Sequence, residues 1–247
     1  MISIFDISKR AIDFKLKFEN EILLKSIYYH NLGKNFPKIW LGYFNPLTVL
    51  HSDFNKFLED SNLSTANHKR KVEFIASRLL IKYALNDLAY EPINIKKGMY
   101  GEPIWPQGLN GSISHTKEWT AIIITDKAWQ VGIDIERTFN CLSTNLIIKN
   151  IFTTREVYRL SKFSFKIKNL ITTIIFSAKE TLYKAFFNYH YKNINIKSFE
   201  FLDLTESIIT MKILFDNPTN LSNEKILHVN YSLFNNQVIT WFIKNNY

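Results

Sequence analysis

A chain of 247 residues, 46% apolar and 15% aromatic, carries ample material for a packed interior in one large domain or two ordinary ones, which excludes a disordered or low-complexity protein. Its 31 Lys and Arg against 22 Asp and Glu give a formal charge of +9, so the expected partner is anionic: nucleic acid, anionic lipid, a phosphorylated cofactor or an acidic protein. Cys141 is the sole cysteine, which excludes an intrachain disulfide and a thiolate zinc cage.

Met1 to Arg10 lacks the apolar core of a signal peptide, and no stretch reaches the roughly 20 apolar residues that span a bilayer, so the expected compartment is the cytoplasm. From Met1 to Asn67 periodicity is weak, with turn signals at Asn31-Leu32-Gly33, Phe36-Pro37 and Asn45-Pro46. His30, His51 and His68 are scattered there and read as surface or polar-core residues. Val72, Ile75, Ala76, Leu79, Leu80 and Tyr83 then recur at helical spacing and predict a helix over Asn67 to Leu88. Phe74 is an i,i+4 neighbour of both Arg70 and Arg78 on that helix. Seven Pro and Gly residues from Pro92 to Gly111 predict a rigid loop, in which Trp105 reads as core packing, a loop anchor or part of a ligand wall.

Trp119–Thr125 and Trp129–Ile135 read as two strands of an antiparallel hairpin closed by Asp126-Lys127-Ala128. Such a hairpin would deliver His115, Asp134 and Glu136 from one small substructure. Asp134 and Glu136 stand two residues apart on a strand, so both carboxylates leave the same face and repel unless a cation sits between them. Magnesium, which takes a few carboxylates plus water and a substrate phosphate, is the simplest candidate. Thr153 with Glu156 forms a capping-box pattern that starts a helix running to about Ser164, and Arg155, Arg159, Lys162, Lys166 and Lys168 make its exit basic. A second amphipathic helix spans about Thr173 to Tyr189, with Glu180 and Lys184 one turn apart. Four strand-like runs follow: Phe199–Leu204, Ile208–Phe215, Ile226–Leu233 and Val238–Ile243, with turns at Asn217-Pro218 and Asn235-Asn236. The economical architecture is α+β in two similar lobes, residues 1–120 and 121–247.

Asp134, Glu136 and Glu180 are thus candidate metal ligands, although Glu180 could equally pair with Lys184 on a solvent face. With a diphosphate substrate, Arg78, His115, Lys179 or Lys184 could neutralise the charge the cation does not reach. Three classes stay open on this chemistry: a Mg²⁺-dependent phosphoryl or group transferase, a Mg²⁺-dependent nuclease or nucleotidyl transferase, and a non-catalytic binding module.

Four blocks narrow the choice. Arg70-Lys71-Val72-Glu73-Phe74-Ile75-Ala76-Ser77-Arg78 comes first, then Pro103-Ile104-Trp105-Pro106-Gln107-Gly108 leading into Gly111-Ser112-Ile113-Ser114-His115. Gly132-Ile133-Asp134-Ile135-Glu136 follows, and Phe176-Ser177-Ala178-Lys179-Glu180-Thr181-Leu182-Tyr183-Lys184-Ala185-Phe186 is last. Together, over about Asn67 to Phe187, they resemble the 4′-phosphopantetheinyl transferase family, in the branch typified by the enterobactin-pathway enzyme.

The resemblance implies a pseudo-dimer of two α+β lobes with coenzyme A in the cleft between them. It implies Asp134, Glu136 and Glu180 as ligands of Mg²⁺, with Glu180, or a water it aligns, as base. Lys184 supports the departing phosphate, Arg70, Arg78 and His115 hold coenzyme A phosphates, and Ser114 and Lys179 assist. The implied reaction moves 4′-phosphopantetheine from coenzyme A to a serine of an apo acyl or peptidyl carrier protein, releasing adenosine 3′,5′-bisphosphate. Siderophore or other nonribosomal peptide carriers are favoured, and the enzyme is expected to be a monomer without nucleic-acid or membrane partners. Charge complementarity makes Arg155 to Lys168 the expected dock for an acidic carrier. One departure is Ser77, where the family commonly has Gly; its β-carbon questions local packing. A non-catalytic module that binds coenzyme A or the carrier, and a nucleic-acid phosphotransfer enzyme, remain the alternatives.

Overall fold

A computed structural model describes residues 15–19, 23–33, 37–48, 50, 55–58, 63, 65–91, 95–187, 194–214 and 226–245. The opening Met1–Arg10, Phe36, His51 and the Asn217-Pro218 turn lie outside the described residues. Two compact units divide the chain between Trp129 and Gln130, and each mixes helix with one five-stranded sheet. No helix among the described residues is long and apolar enough to cross a membrane.

The first unit is built on an antiparallel sheet of β1 (Lys15–Glu19), β2 (Leu24–Asn31), β3 (Lys38–Phe44), β6 (Leu109–His115) and β7 (Trp119–Asp126), in the order β1-β2-β3-β7-β6. A short helix α1 (Asn55–Leu58) precedes α2 (His68–Asp87), and a two-residue ladder joins β4 (Lys96–Lys97) to β5 (Pro103–Ile104). β3 lies at the centre with Ile39, Trp40 and Leu41 all buried, so no in-out alternation marks it in the sequence. That double burial is why the region before Asn67 reads as aperiodic.

α2 begins where expected because Asn67 Oδ1 accepts the Arg70 amide at 2.9 Å, and nothing in the next 20 residues breaks a helix. Its Val72, Ile75, Leu80 and Ala84 pack against Leu24, Ile27, Trp40 and Ile122 of the sheet. Ser77 is accommodated: its hydroxyl bonds the Glu73 carbonyl and Thr120 Oγ1 of β7, both at 2.9 Å, and so ties helix to sheet. Gly111 falls inside β6 rather than in a loop. A β-carbon there would run into the Trp105 ring, which packs on the core, so glycine permits the close approach.

The expected hairpin of 119–125 with 129–135 does not form. β7 is sandwiched between β3 and β6, whereas β8 (Trp129–Arg137) joins the other sheet, because the intervening Lys127 and Ala128 carry the chain from one unit to the next. His115 and the Asp134–Glu136 pair therefore belong to different sheets.

In the second unit the strand order is β8-β12-β11-β10-β9, with β9 (Phe199–Leu204), β10 (Ile208–Ile213), β11 (Ile226–Phe234) and β12 (Gln237–Asn245). α3 (Cys141–Ile151), α4 (Thr154–Leu160) and α5 (Lys168–Phe187) accompany it, and α5 supplies Ile171, Ile174, Ile175, Ala178 and Leu182 to the core. The capping box is present: Thr153 Oγ1 accepts the Glu156 amide at 3.2 Å and Glu156 Oε2 accepts the Thr153 amide at 2.8 Å. α4 is shorter than its pattern suggests, because the chain turns after Leu160 into a single 3-10 turn at Phe165–Ile167 before α5. α3 was not read from the sequence; Asn140 caps it through the Ser143 amide at 2.9 Å.

Candidate active site

Within the second unit, β8 and α5 run in opposite directions along a ridge of small side chains. Gln130 Nε2 donates to the Ala185 carbonyl at 3.1 Å, Gly132 faces Thr181, Asp134 meets Ser177, and past the strand the Phe139 amide reaches Thr173 Oγ1 at 3.0 Å. Every second residue of the strand thus meets every fourth residue of the helix, the match of the two periods. Gly132 makes the approach possible, since a β-carbon there would overlap the Thr181 carbonyl and sit 3.0 Å from the Ala185 β-carbon. Gly132→Ala should therefore push β8 off the helix and lower unfolding free energy by about 1–3 kcal/mol in urea titration.

The ridge fixes the acids. Asp134, buried, accepts from Ser177 Oγ at 2.7 Å and from Lys184 Nζ at 2.6 Å. Ser177 in turn meets Thr240 Oγ1 of β12 at 2.9 Å, and Thr181 meets the same hydroxyl at 2.6 Å. Glu136, two residues along the strand, is pushed up to about 8 by burial first, then by Asp134 and Glu180, with Lys184 opposing. Burial also raises Glu180, against Lys184 and with Asp134. Two carboxylates raised by burial and by Asp134, with Lys184 opposing both, form a site short of positive charge. Among the described residues no three acidic, His or Cys donors form a ready metal cage, and Asp134 is engaged by Lys184 and Ser177. The donor types and the mutual repulsion nonetheless suit a hard divalent cation.

Within the first unit, α2, β6 and the β4–β5 turn enclose a recess of about 110 Å³ lined by Arg70, Arg78, Lys97 and His115 among others. Four cationic or protonatable side chains in so small a space suit an anion. Arg78 is buried with its guanidinium 4.2 Å from the Phe74 ring centroid, and its Nε has no protein acceptor. Burial, then the Arg70 charge, pulls it down to about 10. Arg70 Nη1 is in close contact with His115 Nε2. Behind them the buried Glu73 lies 3.5 Å from Arg70 Nη1 and 3.7 Å from His115 Nδ1.

Residues 58–125 match the family model for the 4′-phosphopantetheinyl transferase N-terminal domain, and residues 130–241 match that for the 4′-phosphopantetheinyl transferase superfamily. Enterobactin synthase component D of Escherichia coli K12 is 33% identical over 142 residues, 58% of this chain and 67% of that protein. The chain belongs to the 4′-phosphopantetheinyl transferase superfamily. Similarity extends to the 4′-phosphopantetheinyl transferase PptT of Mycobacterium tuberculosis, 33% identical over 121 residues, 48% of this chain and 52% of that one. The Nocardia iowensis transferase Npt is 30% identical over 129 residues, covering 51% and 56%.

In this phosphopantetheinyl transferase the expected site residues separate into those the structure groups and those it does not. Asp134, Glu136, Glu180 and Lys184 interact in one unit; Arg70, Arg78 and His115 line one recess in the other. Ser114 does not line the recess. Strand alternation turns it away from the face that Ile113 and His115 share. Lys179 is wholly buried, where it pairs with Glu156 at 2.7 Å and donates to the Phe199 carbonyl. Lys97, Glu73 and Ser177 were not singled out from the sequence. Lys97 is the second residue of the Lys96-Lys97 pair in the Pro/Gly-rich loop, a signal that could have marked it.

Proposed function

We propose that this transferase moves 4′-phosphopantetheine from coenzyme A to a serine hydroxyl of an apo carrier protein, with Mg²⁺, releasing adenosine 3′,5′-bisphosphate. The observation that carries the reading is the charge-starved Asp134–Glu136–Glu180 set beside Lys184, in a chain that also holds a cationic recess. Mg²⁺, when bound by those three acids, would polarise the diphosphate and offset charge as the serine oxygen approaches phosphorus. Glu180, or a water it aligns, takes the serine proton. A new bond joins the serine oxygen to the phosphorus on the pantetheine side as the bridging oxygen of the diphosphate departs with the adenosine bisphosphate. Lys184 meets the charge that develops there. Asp134 is oriented for its part by Ser177.

Arg70, Arg78, Lys97 and His115 hold the phosphates of coenzyme A, and Glu73 sets the positions of Arg70 and His115. Charge alone says that Glu73→Gln tightens an anion; orientation says the reverse. We expect adenosine 3′,5′-bisphosphate to bind the variant about tenfold more weakly, worth about 1.4 kcal/mol by calorimetry. Tighter binding would remove the orienting role.

The proposed substrates are apo carriers of nonribosomal peptide synthesis, acidic and helical, on which the transferase acts as a cytoplasmic monomer. Incubation with coenzyme A, Mg²⁺ and a panel of apo carriers, followed by intact mass, tests the reading. Added phosphopantetheine mass on a carrier, absent when its serine is alanine, is the expected result; carrier and coenzyme A binding without added mass would leave only a non-catalytic module.

A further inference from the structure

Strand alternation turns Val238, Thr240 and Phe242 of β12 to one face, and Val238 and Phe242 belong to the apolar core around α5. A hydroxyl in the middle of that stripe needs a reason, since valine has nearly the same shape and no polar group to bury. Thr240 is wholly buried, as are Ser177 and Thr181 of α5, and Asp134 of β8 is 3% exposed. Four polar side chains from three elements thus meet almost out of reach of solvent.

Counting protons gives the cluster a direction. Lys184 Nζ donates to Asp134 Oδ1 at 2.6 Å, so Asp134 is a carboxylate that only accepts, and the single proton of Ser177 goes to its Oδ2 at 2.7 Å. The 2.9 Å bond between Ser177 and Thr240 is then donated by Thr240, and the 2.6 Å bond between Thr240 and Thr181 is donated by Thr181. Three hydroxyls in series aim their protons at one carboxylate, an arrangement in which each bond polarises the next. Satisfying Thr181 does not require the Thr240 hydroxyl, because Thr181 Oγ1 also reaches the Thr240 carbonyl at 3.1 Å. Orienting Ser177 does. A serine inside a helix has a competing partner in the carbonyl four residues back. Thr173, one turn earlier in α5, takes that partner and donates to the Asn169 carbonyl at 2.7 Å. Ser177 donates to Asp134 instead, and the hydrogen bond it receives from Thr240 selects that rotamer.

We infer that Thr240 is a positioning residue for the transfer reaction: through Ser177 it holds the Asp134 carboxylate in the orientation in which it serves the cation, with Thr181 polarising the series from behind. The inference rests on the proposed reading of Asp134, Glu136 and Glu180 as cation ligands. Groups that orient a metal ligand are typically worth about 10–100-fold in metal affinity.

Thr240→Val is the direct probe, because Thr181 keeps the carbonyl and Ser177 keeps Asp134, so no buried donor is stranded. Mn²⁺ binding, read by electron paramagnetic resonance with coenzyme A present and carrier absent, should weaken about tenfold. The Mg²⁺ concentration for half-maximal carrier labelling should rise by a similar factor, and Thr240→Ser, which keeps the hydroxyl, should restore both. Ser177→Ala cuts the series between Thr240 and Asp134. It should weaken Mn²⁺ at least as far, and Thr240→Val added to it should change nothing more. A merely structural hydroxyl would lower the urea midpoint and the amount of active enzyme while leaving both cation constants where they are. That result overturns the inference, as do losses that add in the double variant. Ser177→Ala with wild-type Mn²⁺ affinity overturns it as well, whether or not Thr240→Val folds. Wild type that binds Mn²⁺ with this dependence on Thr240 but labels no apo carrier keeps the inference and sinks the transfer reading.

Discussion

Glu180→Gln should raise the melting temperature of the metal-free protein while removing both its response to Mg²⁺ and its transfer activity. The sign follows from crowding: Asp134, Glu136 and Glu180 share one ammonium, and Glu180 is disfavoured as an anion by burial and by Asp134. A neutral amide of the same shape relieves that repulsion, and each kcal/mol gained is worth about 2–4 °C for a chain of this size. Wild type recovers the same energy only when a cation arrives. Saturating Mg²⁺ at about 100 times its dissociation constant contributes about 2.7 kcal/mol, a rise of several degrees by differential scanning fluorimetry. In the variant one ligand is lost and the rise should be small. Carrier labelling should fall by about 10³, the range seen when a group that stabilises transition-state charge is removed. Glu91→Gln, an exposed acid outside the set, should change none of the three readings. A Glu180→Gln protein that keeps the wild-type Mg²⁺ shift would show that the cation binds elsewhere.

How much of this was legible beforehand depends on what each residue's neighbours are. α2 and α5 were readable because long helices repeat their apolar face many times, and the Thr153–Glu156 cap because both halves lie three residues apart. Asp134 and Glu136 were readable as a pair for the same local reason. The Thr173–Ser177–Thr181–Ala185 ridge was not, since hydroxyls count as polar in a periodicity reading, yet these are the residues that Gly132 and Asp134 pack against. The false hairpin arose because a three-residue connection between two apolar runs is the usual hairpin signal, and only the competing partners β3, β6 and β12 show that both strands are claimed elsewhere. Glu73 illustrates the converse. An acid amid four basic residues reads as a helix-surface ion pair until the fold brings His115, 42 positions away, to its other side.

Lys179 carries the same lesson into energetics, because its place in a motif says nothing of the buried ion pair that the fold gives it. Lys179→Met should cost about 3–5 kcal/mol in unfolding free energy, the penalty for leaving one member of a buried ion pair alone. Its ammonium lies at zero exposure, 2.7 Å from Glu156 Oε1, and burial pulls its pKa down against the pull of that carboxylate. Glu156→Gln should cost as much or more, because the same carboxylate accepts the Thr153 amide that caps α4 and the Phe201 amide of β9. The two changes touch one interaction, so the double variant should be more stable than the sum of the singles predicts, by about 0.5–3 kcal/mol in a thermodynamic cycle. Additive losses would mean that the pair is not coupled. Because Glu156 anchors α4, Glu156→Gln should also speed amide hydrogen exchange in α4, whereas Lys179→Met, which leaves the cap and the Phe201 bond in place, should keep α4 protected while lowering stability. That split distinguishes a pair that merely holds the core together from a carboxylate that also fixes the start of α4.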